Sequence, residues 1–340
     1  MNKEPRNVGE PPLVETQGLT KLYPIVTGFL AKKRAWLSAV EDLDLVIHRG
    51  ETLGLVGESG SGKSTVGRLL TRLIEPSRGE ILYDGRSMLT LSGRELLRLR
   101  RKIQIVFQDP YSSLNPRHSV RRIISEGIES DDGRQAKSRR VAELLDLVGL
   151  TPDVLDRYPH EFSGGQRQRI VIARALAVGP EFLVLDEPVS ALDVSIQSKI
   201  LNLLHDLRKQ LSLTYLFISH DLSVVHHIAD RVAVMYLGHL VELAPKRTLY
   251  ENPLHPYTQA LLSAVPTTSK QATGNRIVLS GEIPSPIDIP QRCRFATRCP
   301  RAVEQSWQAV PQLEQVERDH YVACFNYAPL ERRLGERRIA

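Results

Sequence analysis

The residues most able to do chemistry are Gly57-Glu58-Ser59-Gly60-Ser61-Gly62-Lys63-Ser64. They fit the pattern G-x-x-x-x-G-K-[ST] in full, between a compact apolar run, Thr52–Val56, and a helix-like segment, Lys63–Leu73. Glycines at this spacing let backbone N–H groups curl around phosphate oxygens, and the helix start adds a favourable dipole. Lys63 is then expected to reach the β- and γ-phosphates and Ser64 to ligate Mg²⁺, with Gly57 through Thr65 forming the ATP-binding loop. A glycine- and serine-rich turn with a chance lysine is the bland alternative. The strand–loop–helix context favours the phosphate reading.

Asp186 and Glu187 close a second apolar run, Phe182–Leu185. A carboxylate at a strand end can hold the water shell of Mg²⁺, and its neighbour can orient or deprotonate an attacking water. Such a pair can also be a helix cap. Beside a phosphate loop, it points to nucleotide hydrolysis.

These groups need a scaffold. Leu13–Gly50 alternates short apolar stretches with turns, which predicts an antiparallel sheet. Within it, Ile25–Trp36 reads as an exposed hairpin connection, or as a contact with lipid headgroups. Thr52–Val56, Phe182–Leu185 and Leu213–Ile218 are short buried strands separated by helices, the pattern of a mostly parallel α/β sheet. Residues 91–180 read as an inserted helical subdomain, broken near Asp131–Gly133. Arg231–Leu243, interrupted by Gly238, reads as a hairpin. Prolines then mark a smaller module from residue 251 to 328, between a main body at 13–250 and a basic tail at 329–340. Residues 1–12 read as a flexible leader.

The bulk numbers set bounds. The chain has 340 residues, 41% of them hydrophobic, and a net charge of +6. That surplus balances 45 basic against 39 acidic residues, so it describes a solvated surface better than a nucleic-acid groove. No stretch approaches the roughly 18–20 apolar residues that span a bilayer. Met1–Pro12 lacks the apolar core of a signal peptide. Three cysteines, all near the C-terminus, do not make a disulfide framework.

Phe162-Ser163-Gly164-Gly165-Gln166-Arg167-Gln168-Arg169, placed shortly before the acidic strand, resembles the signature segment of ABC proteins. The resemblance implies a P-loop ABC cassette: a mixed core sheet with an antiparallel β subdomain and a helical subdomain. It implies that Ser163, Gly164, Gly165 and Gln166 contact ATP held by an opposite subunit. Gln108, in Phe107-Gln108-Asp109-Pro110, matches the Q-loop glutamine that senses the γ-phosphate and Mg²⁺. Asp193, in Ser190-Ala191-Leu192-Asp193, matches the D-loop at the dimer interface, and His220 matches the switch histidine. Tyr23 sits where the family stacks an aromatic on adenine, which for nucleobases is worth roughly 1–3 kcal/mol. The alternative for Tyr23 is packing at the sheet edge. In these terms Glu187, His220 and Gln108 are the expected catalytic residues, and Ser64, Gln108 and Asp186 the expected Mg²⁺ site.

Asn252-Pro253-Leu254-His255-Pro256-Tyr257-Thr258 and Phe107–Pro116 resemble the oligopeptide, dipeptide and nickel importer branch. Gly67-Arg68 and Gln104-Ile105-Val106 resemble its F-type subunit. The likeness implies an ATPase that is peripheral at the cytoplasmic face of a bacterial inner membrane. Its implied partners are a second, D-type ABC subunit, two transmembrane permeases and an extracytoplasmic solute-binding protein, with no nucleic acid. Relatives in this branch often carry four C-terminal cysteines, in some cases holding an iron–sulfur cluster. Cys293, Cys299 and Cys324 match three of these, and Ser306 stands at the remaining position. A cluster or metal completed by His320, or a set of buried structural thiols, are the two readings. A soluble ABC ATPase is the alternative from another class. The short span from Lys63 to Asp186 excludes long coiled coils, and one cassette per chain differs from translation factors. Peptides, nickel complexes or other solutes remain open as cargo.

Overall fold

The computed structural model describes residues 11–27, 33–128, 133–265 and 276–328. The expected leader and basic tail, the tip of the Ile25–Trp36 hairpin and Asp131 lie largely or wholly outside them. In chain order the strands are β1 (Val14–Thr27), β2 (Lys33–Ile47), β3 (Thr52–Val56), β4 (Arg78–Tyr83), β5 (Arg86–Ser87), β6 (Ile103–Val106), β7 (Phe182–Asp186), β8 (Thr214–Ser219), β9 (Arg231–Tyr236), β10 (His239–Pro245), β11 (Glu314–Glu317) and β12 (His320–Val322).

Strands β3, β7, β8 and β9 are buried along their whole length, as parallel strands covered on both faces must be. They form the middle of an eight-stranded sheet ordered β11-β12-β10-β9-β3-β8-β7-β6. Neighbours from β9 to β6 run parallel, and β10, β12 and β11 add antiparallel. A second sheet, β2-β1-β4-β5, is antiparallel, as the alternating Leu13–Gly50 pattern predicts.

Side chains alternate across the main sheet and so divide the core in two. Leu183, Leu185, Tyr215 and Phe217 pack with the helical segments, whereas Phe182, Val184, Leu216 and Ile218 pack with Leu19, Val40, Leu43 and Ile81 of the second sheet. The helix Lys63–Leu70 lies in this second layer. A Cβ at Gly67 would come within 2.9 Å of Val184 and 3.0 Å of Ile218, so glycine there lets the helix sit close on the sheet.

Residues 91–180 are not wholly helical. Ile103–Val106 is the edge strand β6, paired with β7; helices Pro110–Ser113, Val120–Ser125, Gly133–Leu147 and Gly164–Leu176 follow it. Four residues are too few for periodicity to separate strand from helix. The Arg231–Leu243 hairpin forms as expected, with Leu237 at φ 43° and Gly238 at φ 82°, the paired left-handed turn that suits the sheet twist.

The proline-rich segment joins the main sheet through β12, where Glu242 pairs with Val322. Its anchor is a fully buried pair. Glu242 Oε1 accepts from Leu254 N at 2.8 Å and lies 2.8 Å from His320 Nε2, and Oε2 accepts from His255 N at 3.0 Å. Removing one member of a buried pair strands the other without water. Glu242→Ala should therefore lower stability by about 3–5 kcal/mol, read from the urea midpoint; a wild-type midpoint would mean that the segment is held elsewhere.

Candidate active site

Four neighbouring parallel strands deliver their carboxyl ends to one cleft, the place where open α/β sheets bind ligands. The loop Gly57–Gly62 follows β3, His220 follows β8, Asp186 and Glu187 end β7, and Gln108 follows β6. The cleft encloses about 960 Å³ and is lined by Tyr23, Gly57, Glu58, Ser59, Gly60, Gly62, Lys63, Ser64, Thr65, Gln108, Glu187 and His220, among others.

Glycine is required in the loop for contact as well as for curvature. A Cβ at Gly57 would lie 2.2 Å from the Met235 carbonyl, and one at Gly62, where φ is 102°, 2.2 Å from the Ala39 carbonyl. Lys63 is buried, and its Nζ donates to Gly57 O at 2.7 Å, Glu58 O at 2.8 Å and Ser61 Oγ at 3.2 Å. Burial depresses its pKa, against the opposing pull of Glu187, Asp186 and Glu58. Ser64 Oγ donates to Asp186 Oδ1 at 2.9 Å.

Glu187 is held from three sides. Its N–H donates to Ile218 O at 3.0 Å, its Oε2 accepts from Gln108 Nε2 at 2.8 Å, and its Oε1 lies 3.0 Å from His220 Nδ1. Its φ is 49°, a left-handed conformation that costs a non-glycine residue of order 1–3 kcal/mol. These bonds hold it there and aim the carboxylate into the cleft. Tyr23 stands on the wall, 36% exposed, with Lys21 Nζ 5.1 Å from its ring centre.

Ser163–Gln166 and Asp193 do not join this cleft. Ser163 caps the helix Gly164–Leu176 in a capping box with Gln166, which satisfies the first amides of the helix. A Cβ at Gly165 would meet Ile196 at 2.5 Å, so the start of this helix packs on the helix Val194–Leu211, which Asp193 precedes. Ser163, Gly164 and Asp193 are exposed, so any ligand they touch must come from outside this chain's own cleft.

Residues after 250 also reach the site, although no local signal in the sequence ties them to it. Pro286 and Leu261 line the cleft, and Ser38 N donates to Pro286 O at 3.0 Å. The Tyr257 hydroxyl accepts from Glu58 N at 2.8 Å, and Arg298 pairs with the Glu58 carboxylate at 2.8 and 3.2 Å. Within His-Pro-Tyr, the His255 ring caps the helix Pro256–Ser263 by accepting from Tyr257 N at 3.1 Å. Burial lowers the His255 pKa to about 4, so the ring is the neutral acceptor this bond needs.

Among the described residues, no group of three or more His, Cys, Asp or Glu side chains could hold a metal ion. Burial pushes the thiols of Cys293 and Cys299 up, and that of Cys324 to about 11. His320, expected as a further ligand, is instead turned to Glu242. Ser306 is buried and accepts from Val303 N at 3.2 Å through its hydroxyl.

Comparison with known proteins gives a family. A model described as ABC transporter matches residues 40–190, and one described as the C-terminal region of oligopeptide/dipeptide transporters matches 241–305. The oligopeptide transport ATP-binding protein AppF of Bacillus subtilis is 51% identical over 93% of this chain and 98% of its own length. The dipeptide transport ATP-binding protein DppF of Haemophilus influenzae is 49% identical over 93% and 97%. Among solved structures, the dimeric ATP-binding cassette MJ0796 bound to ADP and Pi is similar at 29% identity and a TM-score of 0.61, over 69% of this chain and 99% of that one.

Burial raises the Asp186 carboxyl pKa, only partly offset by Ser64. A group with a raised folded-state pKa supports the fold most at pH below its ordinary value and loses that support as pH climbs through the raised one. At neutral pH the charged form therefore weakens the fold. Asp186→Asn should raise Tm at pH 7, with the gain shrinking in acid; calorimetry showing no gain at pH 7 would contradict this.

Proposed function

Because the chain belongs to the ABC transporter family, in its oligopeptide/dipeptide branch, we propose that it hydrolyses ATP to power import of peptides across a bacterial inner membrane. The observation that carries this reading is the clamped Glu187, facing a phosphate loop from the neighbouring strands of one parallel sheet.

In this reading, ATP lies along the loop from Gly57 to Thr65, with adenine against Tyr23. Ser64 and Asp186 would hold Mg²⁺, with Gln108 within reach; bound there, the ion neutralises charge on the phosphates. The hydroxyl and carboxylate oxygens are the hard donors that such an ion prefers. Glu187 accepts the proton of the attacking water and His220 supports it at the γ-phosphate. Gln108 touches Glu187 and precedes the helical residues, so it links the state of the site to that subdomain.

The exposed Ser163 and Gly164 at the start of this helix support a composite site. The dipole of this helix start suits a γ-phosphate presented by a second ABC subunit, with Asp193 at the same interface. Among the described residues no helix is long and apolar enough to cross a membrane. In this reading the channel belongs to two permeases and solute choice to them and an external binding protein, with this chain peripheral on the cytoplasmic side. The segments 13–250 and 251–328 serve as motor and extension.

Co-purification from native membranes in mild detergent tests the assembly. Two multi-spanning chains with a second ABC subunit support the importer, whereas ribosomal or DNA-repair proteins without a permease overturn it. Glu187→Gln should reduce ATP turnover by about 10²–10⁴-fold, as expected for loss of a general base, while ATP binding persists; normal turnover would remove Glu187 from the reaction.

A further inference from the structure

Glu58 lies in the phosphate loop, yet each of its polar groups is occupied. Its N–H donates to the Tyr257 hydroxyl at 2.8 Å, its carbonyl accepts from Lys63 Nζ at 2.8 Å, and its carboxylate takes the Arg298 guanidinium in a two-pronged contact at 2.8 and 3.2 Å. Two of these three partners come from the segment after residue 250. Arg298 is only 8% exposed and the Glu58 side chain 28%, so this is a charge-assisted pair partly shielded from water, in the geometry that makes arginine more than a point charge.

The supports of these partners are themselves rigid. Tyr236, Tyr257 and Phe295 pack ring on ring, with centres 4.8, 5.2 and 5.5 Å apart, and the Arg298 guanidinium lies 5.9 Å from the Tyr236 ring. A second tie runs to the other end of the loop. Gly238 N donates to Ser61 O at 2.8 Å, and Arg294 fixes that turn by donating to Leu237 O and pairing with Glu41.

A glycine-rich loop has more backbone freedom to lose on binding than any other, and holding it in its bound shape beforehand raises affinity. We propose that Arg298 and Tyr257 are positioning residues for the phosphate loop, so that the C-terminal segment sets nucleotide affinity by holding Glu58. Neither touches the phosphates; both act through Glu58. The inference rests on the nucleotide reading of the cleft.

The test uses the full chain, the fluorescent nucleotide MANT-ADP and steady-state ATPase kinetics. Arg298→Met should weaken MANT-ADP binding about tenfold, the size expected for one buried charged hydrogen-bond partner. KM for ATP should rise in step while kcat stays within about twofold. Arg298→Lys should recover part of the loss, and Tyr257→Phe should weaken binding about two- to threefold. In a Glu58→Gln background Arg298→Met should add little further, because the pair is already broken. Arg292→Ala, which removes a stacking contact with Trp307 away from the loop, should leave affinity unchanged. Wild-type affinity in both Arg298→Met and Tyr257→Phe, or full additivity with Glu58→Gln, overturns the proposal. If Arg298→Met fails to fold by circular dichroism, Tyr257→Phe decides alone, since it keeps the ring and loses only the hydroxyl. A wild-type chain that binds no MANT-ADP would sink the nucleotide reading itself, a result distinct from unchanged affinity in the variants.

Discussion

Everything at the cleft depends on the level ends of four parallel strands. Val56 is in register with Ser219, Ile218 with Asp186, and Leu185 with Val106. A slip of one residue would turn each side chain to the opposite face, sending Asp186 into the apolar layer and Leu185 to the mouth of the cleft. The register is secured by burial on both faces, because Phe182, Val184, Leu216 and Ile218 belong to one core and Leu183, Leu185, Tyr215 and Phe217 to the other. A fold with two cores leaves no harmless alternative pairing.

Against that stable frame the cleft is electrostatically uncomfortable. Lys63 and Asp186 are both buried, and burial works against the charge of each. Glu187 occupies a left-handed backbone conformation as well. Groups arranged this way favour a ligand that supplies the missing counter-charges, and the surrounding sheet tolerates them because its own contacts are saturated. Function here is a local departure from the stability rules that the rest of the chain obeys.

What could be read from the sequence was what is local. The loop Gly57–Ser64, the acidic end of β7, the hairpin at Gly238 and the capping segment at Ser163 are each written within a few consecutive residues, and the antiparallel sheet shows in its alternation. Ile103–Val106 is hidden because four residues, three of them apolar, fit strand and helix equally well. The pairing of β12 with β10 and the grip of Arg298 on Glu58 were hidden for another reason. They join residues far apart in the chain, and neither partner carries a local signal of the other. Tyr257 reads from the sequence only as part of a family segment. Likewise His320 was a plausible ligand by proximity to cysteines in sequence, until Glu242 claimed it from across the sheet.

The docking of β12 on β10 has a consequence for handling the protein. Strand β10, His239–Pro245, is apolar and buried over most of its length, and an uncovered strand of that kind is a template for pairing with another chain. The hairpin of β11 and β12 moves the sheet's margin outward to Glu314-Gln315-Val316-Glu317, a short and largely exposed strand carrying two glutamates. Mutual repulsion between such margins discourages sheets from zipping together. Shortening the chain at the end of the cassette would return the margin to β10, and the cut protein would tend to precipitate.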